Sequence, residues 1–471
     1  MIRVTHLRVL LLLCALAALL PLAALGEDEF YTEMPPYLRF TQQTTEEAVG
    51  SGATIRRTVP ATANPAVDEE IAALLDTLLE RSRPQLEDGT RSDPACLDVG
   101  AVISRSGESV LSFLAIAGVS KGRTQLSVDF DTRVYDMATG RRITLEDVFP
   151  DGSEAWALLA QAVDAQLRAA FPGYAPDEER LAALCTREAL RDARFTLGAA
   201  RLTLTYRADA VYPGRGTLLH VQLYYPDIRP LMTEWAQRQT DNSRFRMVAL
   251  TYDDGPAGTS TRRVLDELRA AGAQATFFQV GRSILRNQDI VCRQQDAGYS
   301  LQSHSYTHKY PDRQNAETML EEKQRVIDDF AALTGVVPTM MRAPGGMDAY
   351  YVRRAIGYPL IHWSLAAGDS GTEDYKRIAS RLTHNVSHGD IVLMHDMNSV
   401  CWRYTHELLE DLQQKGYLCV TVEELFAHTG VPLIDNAVYF SPFRFELPEE
   451  ASEKASEKAS EDTTQTGEAS E

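Results

Sequence analysis

Two adjacent carboxylates, Asp253 and Asp254, follow a short apolar run at residues 245–250. Gly255 and Pro256 come next and are typical of a sharp turn. A buried strand that ends in two acids would carry both charges to the rim of a sheet, where α/β folds place their chemistry. A surface turn rich in Asp and Gly is the alternative, and for this segment alone it is the commoner meaning.

Two histidines four residues apart, His304 and His308, follow a short predicted strand. On one side of a helical turn, both imidazoles reach a single metal ion. With a carboxylate from another strand end they would leave positions open for water and substrate, as a catalytic zinc site requires. The same spacing also arises by chance, so the pair alone does not establish a metal site.

Two further segments end predicted strands in polar residues. Arg342 opens an Arg-Ala-Pro-Gly-Gly sequence, and its guanidinium would bind a carboxylate bidentately while the glycines let backbone N–H groups approach a reacting carbonyl. His395 ends an apolar strand and is a candidate general acid. The ordinary alternatives are an arginine in a surface turn and a hydrogen-bonded structural histidine.

All four segments fall at the carboxyl ends of predicted parallel strands, which converge on one face of a barrel. Four unrelated surface turns would have no reason to share that placement, so the pattern favours a functional site. The predicted strands are Met247–Thr251, Ala275–Val280, Tyr299–Gln302, Thr339–Arg342, Leu360–Ser364, Ile391–His395 and Leu418–Val420. Helical patterns alternate with them.

The expected fold class is α/β, with a distorted (β/α) barrel of about seven parallel strands at residues 244–430. A smaller α+β domain at residues 91–238 precedes it, because strands there occur in runs. Residues 27–90 are expected to be a flexible linker with one helix that begins at Asn64-Pro65. Residues 431–471 form an extension whose apolar start can pack back and whose end is an acidic low-complexity tail.

The first 26 residues have the features of a signal peptide, with Arg3 and Arg8 before an apolar segment and small residues up to Gly26. Cleavage after Gly26 is expected, and an uncleaved membrane anchor is the alternative. The protein is therefore expected to be secreted or held in the bacterial cell envelope. We expect a monomer that meets a membrane only if this segment stays uncleaved.

The formal net charge is −19, which argues against nucleic acid and anionic membranes as partners. Five cysteines follow the predicted signal peptide at scattered spacings, so neither a disulfide framework nor a zinc knuckle is expected. Cys401 and Cys419 would pair only if the fold brings them together, and buried thiols are the alternative.

The chain resembles the polysaccharide deacetylases, the NodB-homology or family-four carbohydrate esterase group, and in particular secreted peptidoglycan N-acetylglucosamine deacetylases. The resemblance covers about residues 244–428. The matching motifs are Thr251-Tyr-Asp-Asp-Gly255, Ala273-Gln-Ala-Thr-Phe-Phe-Gln-Val-Gly281, His304-Ser-Tyr-Thr-His308, Arg342-Ala-Pro-Gly345 and Leu393-Met-His395. Residues 91–238 are more diffusely similar to a small extracytoplasmic domain of some cell-wall deacetylases and lysozyme-sensing anti-sigma factors, so a wall-associated role is a hypothesis.

The resemblance implies a role for each residue of the main motifs. Asp254, His304 and His308 would bind a divalent metal, expected to be Zn²⁺, with Co²⁺, Ni²⁺ or Mn²⁺ as alternatives. Asp253 would be the general base and His395 the general acid.

Other residues would support the site. Arg342 would orient the base, and the amide of Gly345 would help to hold the oxyanion. Tyr252 and Trp363 are expected to contact the substrate.

One motif departs from the family. After the fifth strand the family has an Asp, two residues and then Asp-Trp, whereas this chain keeps only Asp369. Ala366 replaces the first Asp, and Ser370 replaces the tryptophan. Asp369 can still hydrogen-bond His395 and raise its pKa. The lost tryptophan removes an apolar wall of the groove, which affects the expected specificity and rate more than the reaction type.

The implied function is metal-dependent removal of N-acetyl groups from the amino sugars of cell-wall peptidoglycan, whose glycan strands are the expected partner. A non-catalytic glycan-binding barrel is one alternative, supported only by the altered segment 363–370. An O-acetyl esterase or a chitin-type deacetylase acting on another polysaccharide is the other, since the same site can cleave esters.

Overall fold

The computed structural model describes residues 29–50 and 52–448. The predicted signal peptide and the acidic repeats from residue 449 lie outside these ranges. Within them, no helix has the length and apolar character needed to span a membrane.

An N-terminal sheet of six strands carries one long helix. Their bounds are β1 Phe40–Val49, β2 Ala53–Thr62, α1 Pro65–Ser82, β3 Ala95–Ser106, β4 Val110–Lys121, β5 Thr124–Asp136 and β6 Arg141–Arg142. Strand order follows the chain, and all neighbours are antiparallel except β2 and β3. Asn64 caps α1 as predicted, and α1 buries Ile71, Leu75 and Leu78 in a core shared with the sheet.

The expectation of a flexible linker at residues 27–90 is wrong. Residues 40–62 form the β1–β2 hairpin, and β2 pairs with β3 to join the hairpin to the sheet. Strand β1 lies at the sheet edge and contains no buried residue. It therefore lacks the apolar alternation by which a strand is recognised in sequence.

A second small sheet and short helices follow. Their bounds are α2 Leu145–Val148, α3 Ala155–Ala169, α4 Glu178–Leu184, α5 Arg187–Arg191, β7 Arg194–Leu197, β8 Arg201–Arg207, β9 Leu218–Tyr224, α6 Tyr225–Ile228 and α7 Glu234–Gln239. The three strands are antiparallel, and α3 shares one apolar cluster with them. That residues 91–238 are a separate domain stays a prediction.

Parallel strands and helices alternate in the C-terminal region, which confirms the predicted α/β class. Their bounds are β10 Arg246–Asp253, α8 Gly258–Ala271, β11 Thr276–Gln279, α9 Gly281–Ile284, α10 Gln288–Asp296, β12 Ser300–Ser303, α11 Ala316–Thr334, α12 Tyr350–Ile356, β13 Leu360–Ile361, β14 Leu365–Ala366, α13 Tyr375–Asn385, β15 Ile391–His395, α14 Cys401–Gln414, β16 Tyr417–Val420 and α15 Val422–Thr429. The order β12–β11–β10–β15–β14 puts β10 at the centre, and β16 pairs with its first half. Closure into a barrel of about seven strands stays a prediction.

The strand expected at Thr339–Arg342 is reduced to isolated bridges made by Met341. The backbone amides of the first two residues of this segment donate to the side-chain oxygen of Gln302 and so do not pair with a neighbouring strand. The Arg342 N–H still donates to the Ser303 carbonyl, which places Arg342 at the carboxyl end of β12.

The C-terminal extension packs back onto this region, as its apolar start suggested. Its strands are β17 Val438–Ser441 and β18 Arg444–Glu446. Strand β17 pairs with β13, and Val431 and Leu433 lie against the core. All five cysteines of the described residues are free, so Cys401 and Cys419 do not pair.

Ion pairs join the N-terminal sheet to the C-terminal region. Asp98 of β3 lies 3.0 Å from Arg269 of α8 and 3.3 Å from Arg293 of α10. Burial raises the pKa of Asp98, but these guanidiniums and Arg56 outweigh it and bring the pKa to about 2. The sheet is thus attached through a paired, partly buried charge.

Candidate metal and catalytic site

Strand β10 places consecutive side chains on opposite faces of the sheet, because the side-chain period of a strand is two. Thr251 and Asp253 both contact Arg342. Tyr252 points the other way, is 1 % exposed, and its hydroxyl lies 3.2 Å from Thr405 Oγ1 in α14. The Tyr252 side chain therefore belongs to the core, and the role of Tyr252 at the oxyanion or substrate stays a prediction.

Asp254 ends the extended strand with a left-handed φ of 72°. Its Oδ1 lies 3.0 Å from His308 Nε2 and 3.4 Å from His304 Nε2. One ligand atom from each of the three residues lies within 4.8 Å of the others. His304 Nδ1 donates to the Arg342 carbonyl at 2.7 Å, which leaves the Nε2 lone pair for the cluster.

This donor set fits a divalent cation. Two imidazoles and a carboxylate are ligands that zinc prefers, and three protein ligands leave room for water and substrate. Asp254 Oδ1 is buried yet has no hydrogen-bond partner, which a bound cation would relieve. Burial raises the pKa of Asp254, but His304 and His308 outweigh it and hold the pKa well below its usual range.

The loop that bears both histidines is held by Glu322 of α11. This buried carboxylate accepts hydrogen bonds from the amides of Tyr306 and Thr307 at 3.2 and 3.3 Å, and from the Thr307 hydroxyl. Ser305 and His308 both adopt positive φ, at 62° and 61°. Such conformations cost energy in residues other than glycine. Glu322 therefore stabilises a strained loop.

Arg342 is 1 % exposed, and each of its guanidinium nitrogens donates a hydrogen bond. Nη1 donates to Asp253 Oδ1 at 2.8 Å and to Thr251 Oγ1 at 2.7 Å. Nε and Nη2 donate to the carbonyls of Ile361 and His362, both at 2.9 Å. Burial lowers the pKa of Arg342, and Asp253 opposes that shift. The guanidinium thus fixes the Asp253 carboxylate beside the metal cluster.

His395 ends β15 and is the register partner of Asp253 on β10. Its Nδ1 donates to Asp369 Oδ1 at 2.8 Å, and its backbone N–H donates to Asp369 Oδ2 at 3.0 Å. Tyr404 completes the set with a 2.6 Å hydrogen bond to Asp369 Oδ2. Burial lowers the pKa of His395, but Asp369 and the nearby carboxylates outweigh it and raise the pKa to about 9. His395 is therefore protonated at neutral pH.

Gly345 and Trp363 lie beside these groups. Gly345 has a φ of 71°, and a Cβ there would come within 2.8 Å of the Tyr310 ring, so the position requires glycine. The Trp363 ring centre lies 5.8 Å from the Arg342 guanidinium. The roles of the Gly345 amide and of Trp363 in holding the substrate stay predictions.

The altered segment keeps the contact that matters to His395. Ala366 is half-buried in β14 and Ser370 is exposed, while Asp369 is 2 % exposed and bonded to His395. The effect of the two replacements on specificity stays a prediction.

Asp396, to which the sequence pattern assigned no role, is fully buried beside the site. Its Oδ2 accepts a 2.7 Å hydrogen bond from Thr261, whose Oγ1 accepts one from the Ala257 N–H at 2.8 Å. Burial and nearby carboxylates raise the pKa of Asp396 to about 7. A Cβ on Gly255 would overlap the Asp396 carboxylate, which explains glycine at the turn after Asp254.

Comparisons with known proteins agree with this arrangement. A family model described as polysaccharide deacetylase matches residues 240–358. The peptidoglycan-N-acetylglucosamine deacetylase PgdA of Listeria monocytogenes serotype 1/2a (strain 10403S) is 32 % identical over 181 residues, which cover 38 % of this chain and 39 % of that protein. The match thus spans about two fifths of the length of that relative.

Two shorter relatives are matched over most of their length. A peptidoglycan-N-acetylglucosamine deacetylase of Bacillus cereus is 31 % identical over 193 residues, covering 39 % of this chain and 89 % of that protein. A chitooligosaccharide deacetylase of Bradyrhizobium sp. is 32 % identical over 163 residues, covering 33 % of this chain and 73 % of that protein. With such identity over nearly the whole of a relative, this chain belongs to the polysaccharide deacetylase family.

Proposed function

We propose that the chain is a metal-dependent hydrolase that removes N-acetyl groups from the amino sugars of peptidoglycan, outside the cytoplasm. One observation carries the proposal: two groups suited to proton transfer flank one candidate metal cluster. Asp253 is fixed by Arg342, and His395 is held by Asp369 on the neighbouring strand. Both stand next to the cluster that contains Asp254.

Amide hydrolysis requires water to attack the acetyl carbon and a proton to reach the leaving nitrogen. A divalent cation bound by Asp254, His304 and His308 would acidify a water molecule and polarise the acetyl carbonyl. Asp253 accepts the proton of the attacking water. His395 donates a proton to the sugar nitrogen as the C–N bond breaks, which releases acetate and leaves a free amine on the sugar.

The two adjacent acids take different tasks because their surroundings differ. Asp253 accepts a hydrogen bond from a buried guanidinium, which orients its carboxylate. Asp254 Oδ1 faces the two imidazoles and has no hydrogen-bond partner among the described residues. Zn²⁺ is the proposed cation, and Co²⁺, Ni²⁺ or Mn²⁺ would accept the same donors.

Peptidoglycan is supported as the substrate by the names of two relatives, both peptidoglycan-N-acetylglucosamine deacetylases. The sequence features of the first 26 residues support action outside the cytoplasm. We also propose that the segment carrying Arg342 completes a distorted barrel of about seven strands around the site.

Acetate release from peptidoglycan, chitooligosaccharides and acetylated xylan tests the proposal. We expect release from peptidoglycan that stops on chelation and returns with Zn²⁺. Release from xylan alone would replace the proposal with an esterase. Absence of release from all three substrates, with metal bound, would refute a hydrolytic function.

A further inference from the structure

Three neighbouring helices begin at the edge of the sheet that carries the candidate site. Helix α8 follows Asp254, α13 follows Asp369, and α14 follows His395. In a parallel α/β arrangement, the helix after a strand begins at the carboxyl end of that strand. The opening turns of all three helices therefore lie on the face of the sheet that carries the site.

Four side chains from these opening turns form a continuous stack, which we call the Arg–aromatic ladder: Arg263, Trp402, Arg403 and Tyr375. The guanidiniums of Arg263 and Arg403 each lie 5.2 Å from the Trp402 ring centre. The Arg403 guanidinium also lies 5.3 Å from the Tyr375 ring centre. Cation–π contacts hold a guanidinium in place without neutralising its charge. The ladder thus presents two ordered positive charges.

Hydrogen bonds tie the ladder to the candidate general acid. Ser260, just before Arg263, donates through Oγ to the Asn398 carbonyl at 2.7 Å. Asn398 Nδ2 donates to the carbonyls of Asp369 and Thr372 at 2.8 and 3.2 Å. Since Asp369 also holds His395, the loops leading to all three helices are fixed around the site.

The two charges are available to a ligand. Both side chains are exposed, and within the described residues neither Arg263 nor Arg403 forms an ion pair, although the chain has 66 acidic residues against 47 basic ones. Two nearby acids are engaged elsewhere. Glu373 accepts a hydrogen bond from Ser399, and Glu267 pairs with His406.

We propose that the ladder binds carboxylates carried by the glycan strand beside the sugar that is deacetylated. This inference rests on the proposed function, because peptidoglycan strands bear peptide substituents with free carboxylates. A guanidinium binds a carboxylate through two parallel hydrogen bonds, and an arginine already ordered by stacking loses little freedom on binding. Chitin-like chains lack this group, so the ladder favours peptidoglycan over uncharged glycans.

The test compares one peptidoglycan preparation with its carboxylates free or blocked as methyl amides. The variants are Arg263→Gln, Arg403→Gln and the double variant. The matched control is Arg244→Gln, because Arg244 also stacks on an aromatic ring, Tyr31 at 4.3 Å, but precedes β10 and so lies at the opposite end of the sheet.

On the free-carboxylate substrate we expect KM to rise roughly threefold for each single variant and roughly tenfold for the double variant, with kcat unchanged. On the blocked substrate the variants should match the unsubstituted protein. Arg244→Gln should leave KM and kcat unchanged on both substrates. High salt should reduce the preference for free carboxylates. Equal changes on both substrates, or no change on either, would overturn the proposal.

Failure of the proposed function gives a different result, since the unsubstituted protein would then release no acetate from either substrate. Calorimetry with soluble free and blocked fragments still decides the role of the ladder. The proposal is supported if the double variant binds the free-carboxylate fragment more weakly and the blocked fragment as well as before. Unchanged affinity for both fragments overturns it.

Discussion

Asp369→Asn should move the pH limit of activity, because Asp369 supplies the charge that keeps His395 protonated. Burial by itself lowers the pKa of His395, and the hydrogen bond and charge of Asp369 are the largest opposing causes. The asparagine side chain is neutral, so the pKa of His395 should fall from about 9 to its ordinary value of 6.5 or below. The general acid must be protonated, so activity should be lost as pH rises through the new value.

The size of the effect follows from the fraction of protonated His395. At about pH 8, a pKa of about 9 leaves roughly nine tenths protonated, whereas a pKa of 6.5 leaves roughly 3 %. The variant should therefore be roughly 30-fold slower at pH 8 but only slightly slower near pH 6. The stability of the folded protein should also decrease with rising pH. Because folding raises the pKa of His395, its protonation contributes fully to stability below about pH 6.5, and that contribution is lost as pH rises through about 9.

The assay is kcat for acetate release across pH, with melting temperature measured in parallel. Tyr404→Phe is the matched control, since it removes the hydroxyl that donates to Asp369 Oδ2 and keeps the charge. Its alkaline limit should stay near that of the unsubstituted protein. A loss of activity in Asp369→Asn that is the same at every pH would refute the reasoning, because it would show that geometry and not protonation had changed.

The remaining predictions concern the turn, the guanidinium and the metal. Gly255→Ala should weaken zinc binding, because the new methyl overlaps the Asp396 carboxylate. Zinc titration should show that adding Asp396→Ala partly restores the affinity. Equal loss of affinity in the single and the double variant would contradict the steric cause. Arg342→Lys should lower the free energy of unfolding by about 3 kcal/mol or more, because lysine cannot make the four hydrogen bonds of the buried guanidinium. Urea denaturation measures this change, and a loss below about 1 kcal/mol would contradict it. His308→Ala should lower zinc content after dialysis while Trp363→Phe should not, and equal zinc in both would remove His308 from the ligand set.

The placement of Asp253, His304 and His395 was predictable because each one lies at the carboxyl end of a parallel strand. Carboxyl ends of parallel strands meet at one edge, so Asp253 and His395 were expected to be neighbours, and they are register partners. The metal cluster brings together distant segments of the chain for the same reason. Strand periodicity alone puts the Tyr252 side chain on the face opposite Asp253, where it packs in the core.

Other features depend on tertiary contacts that no local pattern reveals. Glu322 contacts the loop that bears His304 and His308 from within a helix, where an acid is ordinarily a solvent-exposed residue. Tyr404 and Asp396 act on the site from a helix and a loop whose packing the sequence does not specify. Strand β1 was missed because it is polar throughout and becomes a strand only by pairing with β2.

The most direct test of the central claim is acetate release from peptidoglycan by zinc-loaded protein and by Asp253→Asn, with zinc content measured in both. Asp253 contacts Arg342 and is not among the candidate ligands. We predict that the variant keeps its zinc and loses turnover by at least roughly 100-fold, the contribution expected of a general base. Turnover equal to that of the unsubstituted protein would exclude Asp253 as the base, and a zinc-loaded unsubstituted protein that releases no acetate would exclude the proposed hydrolysis.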